Sequence, residues 1–259
     1  MNQNELINLE KIEQKYLLKY FHFLKFVEDE IVNGLNTKND IKDDWFDKWN
    51  SVDNEKKISD FNTGAERVIY ALINSKGFGT PNSCPVGSDL MFEVDDAYIH
   101  IDLKTVQTSN IGDFTSSIFV GNNQISYNSK YTVSNQEREY NFANLPFIYN
   151  KQNKIKKYCL TYFLSILHDE KTFETLCIYI TCFPNGLLQT AYQGSVFKAG
   201  KNPDKVRYNI VECKDFKLIK GRRILVLYMN NEIKDEYKKK LKFLTKCYNS
   251  QSSLGGINI

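Results

Sequence analysis

Two stretches of this chain, Tyr158–Leu167 and Leu176–Phe183, are apolar and rich in β-formers, which marks them as central strands of a sheet. Residues 4–35 carry apolar side chains at helical spacing: Leu6, Leu9, Ile12, Tyr16, Leu17, Tyr20, Phe23, Leu24, Val27 and Ile31. Polar Asn36–Asp44 is expected to break that helix, and Trp45–Trp49 to bound a short second one. Ala65–Ser75 reads as a further helix, with its N-cap in Asp60–Gly64 and its stop at Lys76-Gly77. Val206–Val211 and Ile224–Tyr228 are additional strand candidates, Pro184-Asn185-Gly186 is a turn, and Asn231–Tyr248 is a closing helix. This order predicts an α/β or α+β fold with a mixed sheet flanked by helices. No repeat or linker divides the chain, so one domain over residues 1–259 is expected.

Composition narrows the class. The longest apolar runs, such as Ile224–Tyr228, are far too short to cross a bilayer, and the first residues lack the basic and apolar parts of a signal peptide. A cytoplasmic location is expected. The six cysteines show no CxxC spacing and read as small buried hydrophobes. Three histidines (His22, His100, His168) supply a histidine metal cage or a Ser-His-Asp triad poorly. His22 is expected to pack within its aromatic helix, and His100 to be solvated or structural.

The chemistry concentrates in one predicted hairpin. Gly87-Ser88-Asp89-Leu90-Met91-Phe92-Glu93-Val94 is followed by a turn at Asp95-Asp96 and then by Ala97–Thr105. Strand alternation puts Tyr98, His100, Asp102 and Lys104 on one face and Ile99, Ile101 and Leu103 on the other, toward a core. Two carboxylates a few ångströms apart repel, and a hard divalent cation relieves that repulsion. Mg²⁺ takes oxygen ligands and commonly uses one or two carboxylates. Asp89 and Asp102 are the candidate ligands, with the main-chain carbonyl of Leu103 as a third. Lys104 would sit beside the cation, where it could orient water and offset charge building on a phosphoryl group. Glu93 is at an even offset from Asp89 and so is a weak candidate for a supporting acid.

Two further segments point to a polyanion. Of the 32 residues 105–136, 18 are Ser, Thr, Asn or Gln, the groups that hydrogen-bond base edges and phosphates. Phe114, Ile118, Phe119, Val120, Ile125, Tyr127 and Tyr131 are placed to anchor this stretch. The net charge is only +3, yet residues 197–246 hold 15 Lys/Arg against 6 Asp/Glu.

The hairpin resembles the PD-(D/E)xK nuclease superfamily, above all its type II restriction endonucleases. Asp89 matches the first acidic position, Asp102 the second, Lys104 the lysine, and Glu66 the extra acid that many members carry on the preceding helix. The superfamily's proline is here Ser88. The resemblance spans residues 63–183, with helical 1–50 and basic 187–259 outside it. It implies a Mg²⁺-dependent type II restriction endonuclease in a prokaryotic cytoplasm, with Mn²⁺ able to substitute. The expected catalytic residues are Asp89, Asp102, Lys104 and Glu66, and Glu66 joins Asp89, Asp102 and the Leu103 carbonyl as a metal ligand.

The expected partner is double-stranded DNA, contacted by Gln107, Thr108, Ser109, Asn110, Thr115, Ser116, Ser117, Asn122, Asn123, Gln124, Lys198, Lys201 and Arg207. Gln189, Tyr192, Gln193, Ser195 and Asn209 are further candidate readers. Palindromic targets imply a homodimer, with the aromatic N-terminal helix as its expected interface. The rival readings are a junction resolvase or repair nuclease, and a DNA-binding protein whose acidic pair is structural.

Overall fold

A computed structural model describes residues 1–40, 61–74, 79–81, 87–150, 156–202 and 205–251. The helices are α1 (Gln3–Phe26), α2 (Glu28–Asp40), α3 (Phe61–Asn74), α4 (Asp235–Lys240) and α5 (Lys242–Gln251), apart from one-turn helices. The strands β1 (Thr80–Pro81), β2 (Leu90–Glu93), β3 (Ala97–Gln107), β4 (Ile118–Phe119), β5 (Ser129–Val133), β6 (Gln136–Tyr140), β7 (Ile148–Asn150), β8 (Lys156–His168), β9 (Thr175–Phe183), β10 (Phe197–Ala199), β11 (Val206–Tyr208) and β12 (Ile224–Met229) follow in chain order.

Seven strands form the central sheet, in the order β1-β2-β3-β8-β9-β12, with β7 joined to β8. β3 and β8 run parallel from Ala97↔Tyr158 to Gln107↔His168, and the other pairings are antiparallel. The sheet is therefore mixed and carries helices, as expected. β8 and β9 are its middle, and every residue of β9 is buried. The chain needs all of residues 108–155 to return from the end of β3 to the start of β8, as a parallel crossover requires. The larger part of that excursion is the polar segment, which runs to Gln136. The described residues of the excursion fold into one-turn helices, the β5–β6 hairpin, β7, and β4 of a small β10-β11-β4 sheet. Ser134 and Asn135, at φ 49° and 63°, make the two-residue hairpin turn.

Its anchors hold as read. Phe114, Ile118, Val120, Ile125, Tyr127 and Tyr131 are buried, and only Phe119 faces outward. The five described cysteines (159, 177, 182, 213, 247) are free and buried, and Cys84 lies outside the described residues. Three boundaries differ. The helical break comes at Val27 and not at Asn36, so α2 runs on through Asp40; Trp45–Trp49 lies outside the described residues. The closing helix is interrupted at Leu241, whose side chain is buried. Val206–Val211 pairs only as far as Tyr208.

α1 is started by a capping box in which Asn2 and Glu5 bond each other's main chain. Its Leu9, Tyr16, Leu17, Tyr20 and Leu24 are buried, with α1 packed on β9 and β12. Tyr16 and Tyr20 of α1 are spent inside the protomer, while Leu18 and Phe26 stay exposed. Beside α1 lies a buried charge cluster. Arg223, at the start of β12, has no exposed surface, and neither have Glu10 and Glu13 of α1. The Arg223 guanidinium sits 2.5 Å from Glu13 and 3.3 Å from Glu10, and lies between the rings of Tyr192 and Phe216. Glu10 also accepts main-chain N–H groups of Lys217, Leu218 and Ile219, and Glu13 accepts that of Asn185. Burial still raises the Glu13 carboxyl above its usual range, against the pull of Arg223.

Buried ions are tolerable only when all are satisfied. Arg223→Met, which fills the space but strands two glutamates, is expected to cost roughly 3–5 kcal/mol. Urea denaturation against the parent protein measures it, and a loss under about 1 kcal/mol would contradict the reading.

Candidate active site

The site exists because β2 starts late. β2 begins at Leu90, which faces Ile101, so among the described residues the β3 edge beyond Ile101 has no strand beside it on that side. A main-chain N–H on such an edge needs another acceptor. Leu103 N–H donates to Asp89 Oδ2 at 2.7 Å. The N–H and C=O of one strand residue face the same way, so the Leu103 carbonyl points to this same edge. One register step past Leu90↔Ile101 brings Asp89 opposite Asp102.

Alternation along β3 is as read, but the face of Tyr98 and His100 is covered. Residues 97–103 are buried on both sides, and exposure begins at Lys104. His100 has no exposed surface and lies against Tyr149 and Ser88, so it is structural and not solvated. His22, expected to pack, is exposed on α1. Glu93 pairs with Lys157 at 2.9 Å, at the far end of β2 from Asp89.

Asp102 is 3% exposed. Its Oδ1 accepts the Gln124 amide N–H at 2.8 Å, and its Oδ2 contacts the Lys104 ammonium. That Oδ2 is buried and has the ion pair but no hydrogen bond of ordinary geometry. Burial pushes the Asp102 carboxyl up to about 6, against the Lys104 charge, and the charges of Asp89 and Glu66 push the same way. Glu66 accepts a bond from Asn62 on α3, and Asn62 accepts the Thr105 hydroxyl, which ties the start of α3 to β3.

A divalent cation suits this donor set: two facing aspartates, one with a buried oxygen short of a donor, and a carbonyl on the same edge. Glu66 stands further back. Among the described residues, no three His, Cys, Asp or Glu side chains are close enough to hold a metal together.

Gly87, two residues before Asp89, has φ +67°, and a Cβ there would lie 1.7 Å from the Asn123 carbonyl oxygen. Only glycine allows this approach. The turn Gly121–Gln124 is thus wedged between the Asp89 segment and β3. Gln124 Oε1 accepts from Gly121 N at 2.8 Å and Lys104 Nζ at 3.3 Å. Its main-chain carbonyl accepts the Thr161 hydroxyl. Gln124, an expected DNA contact, has its side chain engaged with the acidic centre.

The other expected DNA contacts divide. Gln107, Ser109, Asn110, Asn123 and Lys201 are exposed. Thr108 is buried and accepts from Glu170 N, and Asn122 holds Tyr140. Thr115 and Ser116 bond back to Ile111 and Gly112. Arg207 is turned inward onto Asp113 and Ser117, and Lys198 points to the Ser116 carbonyl. Tyr192 belongs to the Arg223 cluster and Asn209 is buried; Gln189 and Gln193 are exposed, and Ser195 bonds Tyr192 O. The basic segment is therefore partly internal. Its lysines 238, 239, 242 and 246 line a cavity of about 610 Å³ against the end of β12.

A mixed sheet whose paired strands bring together two aspartates and a lysine defines a restriction-endonuclease-like enzyme. The sequence bears this out. Residues 5–172 match the N-terminal domain, and residues 175–229 the central domain, of the type II restriction enzyme MwoI, and the chain belongs to that family of site-specific deoxyribonucleases. The boundary between the two matches falls between β8 and β9, which are hydrogen-bonded neighbours in one sheet.

Two solved structures share the fold. The restriction endonuclease BglI bound to its DNA recognition sequence is 16% identical, with a TM-score of 0.64 over 89% of this chain and 95% of that one. Tetrameric SfiI bound to cognate DNA is 14% identical, with a TM-score of 0.63 over 88% and 87%. Among curated proteins, none matches the sequence. No described helix is long and apolar enough to cross a membrane.

The raised Asp102 carboxyl predicts a pH effect on the metal-free protein. Its folded pKa, about 6, lies above the unfolded value near 4. Its contribution is thus full below pH about 4 and is lost as pH rises through about 6. In EDTA, stability is expected to fall over that window by on the order of 2–3 kcal/mol from this group. Asp102→Asn should flatten the slope in urea titrations at pH 4 to 7, and an unchanged slope would refute the assignment.

Proposed function

We propose that this chain is a Mg²⁺-dependent type II restriction endonuclease that hydrolyses phosphodiester bonds of double-stranded DNA at a short specific sequence in a prokaryotic cytoplasm. The observation that carries the reading is the meeting of Asp89 with Asp102 at the open edge of β3, Lys104 lying against Asp102. Asp89, Asp102 and the Leu103 carbonyl would hold the cation, with Glu66 behind them. A divalent cation there supplies Lewis acidity at the scissile phosphate and makes nearby water easier to deprotonate. Mn²⁺ has the same preference for oxygen donors and should substitute.

The chain's own groups do the positioning. Asp89 closes the β3 edge through Leu103 N–H, which fixes where the two carboxylates face each other. Lys104 carries positive charge at the boundary between buried and exposed β3, where it can meet a phosphate oxygen and offset charge building at phosphorus. The exposed Gln107, Ser109, Asn110, Asn123 and Lys201 are left to contact DNA.

Plasmid or phage DNA incubated with the protein should give discrete fragments with Mg²⁺ and none with EDTA. Asp89→Ala and Lys104→Ala should each slow cutting at least about 100-fold while DNA binding in gel shift persists. Cutting of branched DNA alone would instead indicate a resolvase, and full activity in either variant would sink the assignment.

A palindromic target calls for a homodimer, and the exposed Leu18 and Phe26 leave α1 a candidate for its contact. Sedimentation at micromolar concentration with cognate DNA should show two protomers per duplex, and a monomer would count against it.

A further inference from the structure

We propose that Gln124 is a positioning residue that sets Asp102 and Lys104 relative to each other and ties their geometry to the polar segment that follows β3. The inference rests on the nuclease reading above and extends it to a residue outside the acidic motif.

Three bonds hold the side chain. An amide oxygen has two lone pairs, and both are taken on Gln124 Oε1, by Gly121 N at 2.8 Å and Lys104 Nζ at 3.3 Å. Its Nε2 donates to Asp102 Oδ1 at 2.8 Å. Little of the amide edge remains to read a base.

Asp102 and Lys104 are opposite charges two residues apart on one strand face. Direct attraction alone fixes their contact but not its direction. A neutral amide that donates to one and accepts from the other fixes both orientations without adding charge to an already acidic centre. A carboxylate here would repel Asp102, and an ammonium would compete with Lys104.

The holder is itself held. The Gln124 carbonyl takes the Thr161 hydroxyl at 3.0 Å, from β8. Asn122 takes the Tyr140 hydroxyl on its side chain and the Asn144 N–H on its carbonyl. The Asn123 carbonyl oxygen presses on Gly87, two residues from Asp89. Displacing the turn 121–124 therefore displaces parts of both acidic segments. DNA that engages exposed Asn123 or the neighbouring hairpin would act on the centre through this turn.

The test compares wild type, Gln124→Ala and Gln124→Glu, each checked for an unchanged melting temperature. DNA affinity is measured in EDTA, and single-turnover cleavage with Mg²⁺ at saturating DNA. Both variants are expected to bind DNA within about twofold of wild type and to cleave roughly 10- to 100-fold more slowly, the cost of misplacing reacting groups by about an ångström. If Gln124→Ala unfolds, the near-isosteric Gln124→Glu decides alone: it keeps the acceptor for Lys104, while it loses the donor to Asp102 and sets a like charge against it.

Wild-type cleavage rates in Gln124→Glu would overturn the proposal. So would weakened DNA binding with an unchanged rate at saturation, which would make Gln124 a reader. A wild-type protein that leaves DNA intact with Mg²⁺ overturns the nuclease reading itself, and this inference with it.

Discussion

The structure depends on a buried arginine. Arg223 opens the last strand of the sheet and meets Glu10 and Glu13 of the first helix with no exposed surface on any of the three. Ions placed there have no water to fall back on, so each must be answered by protein. The answers come from Tyr192, Asn185 and three successive N–H groups of the 217–219 loop. One cluster thereby fixes the N-terminal helix, the end of β9, the 186–196 turns and the entry to β12. It closes the side of the sheet remote from β2, two strands beyond β8, which pairs with β3.

The acidic centre uses the opposite arrangement. There burial outweighs the answering charge: Asp102 meets the Lys104 ammonium and the Gln124 amide, yet its carboxyl is held well above the usual range. A carboxylate kept in that condition costs stability, which a fully satisfied core elsewhere can bear. Asp89 is the hinge of the arrangement because it substitutes for a missing strand on the β3 edge. The same hydrogen bond that completes the sheet sets the spacing of the two acids.

Much of this was legible along the chain. β2, β3, β8, β9 and β12 follow from short apolar or alternating runs, and the facing of Asp89 and Asp102 follows from a hairpin with a short turn. The break in the N-terminal helix was misread because polar residues 36–40 look like a stop, whereas α2 needs apolar contacts on only one face. Arg207 and Arg223 read as part of a basic surface because a charge count does not see burial. The roles of Arg223, Tyr192 and Gln124 have no local signal, since the charged groups they answer lie from 20 to 213 residues away.

The sequence by itself determined the period of each strand, and hence that Asp102 and Lys104 share a face one hairpin away from Asp89. It also determined that a long amide-rich excursion follows β3. Only the tertiary structure decided where that excursion lies. It folds back over β3, covers the His100 face, and delivers Gln124 to the carboxylate and Gly121–Asn123 to Gly87. Local periodicity is a property of successive residues, but the choice among distant partners is made by burial. An amide finds Asp102 only once the sheet has removed the water that would otherwise satisfy both.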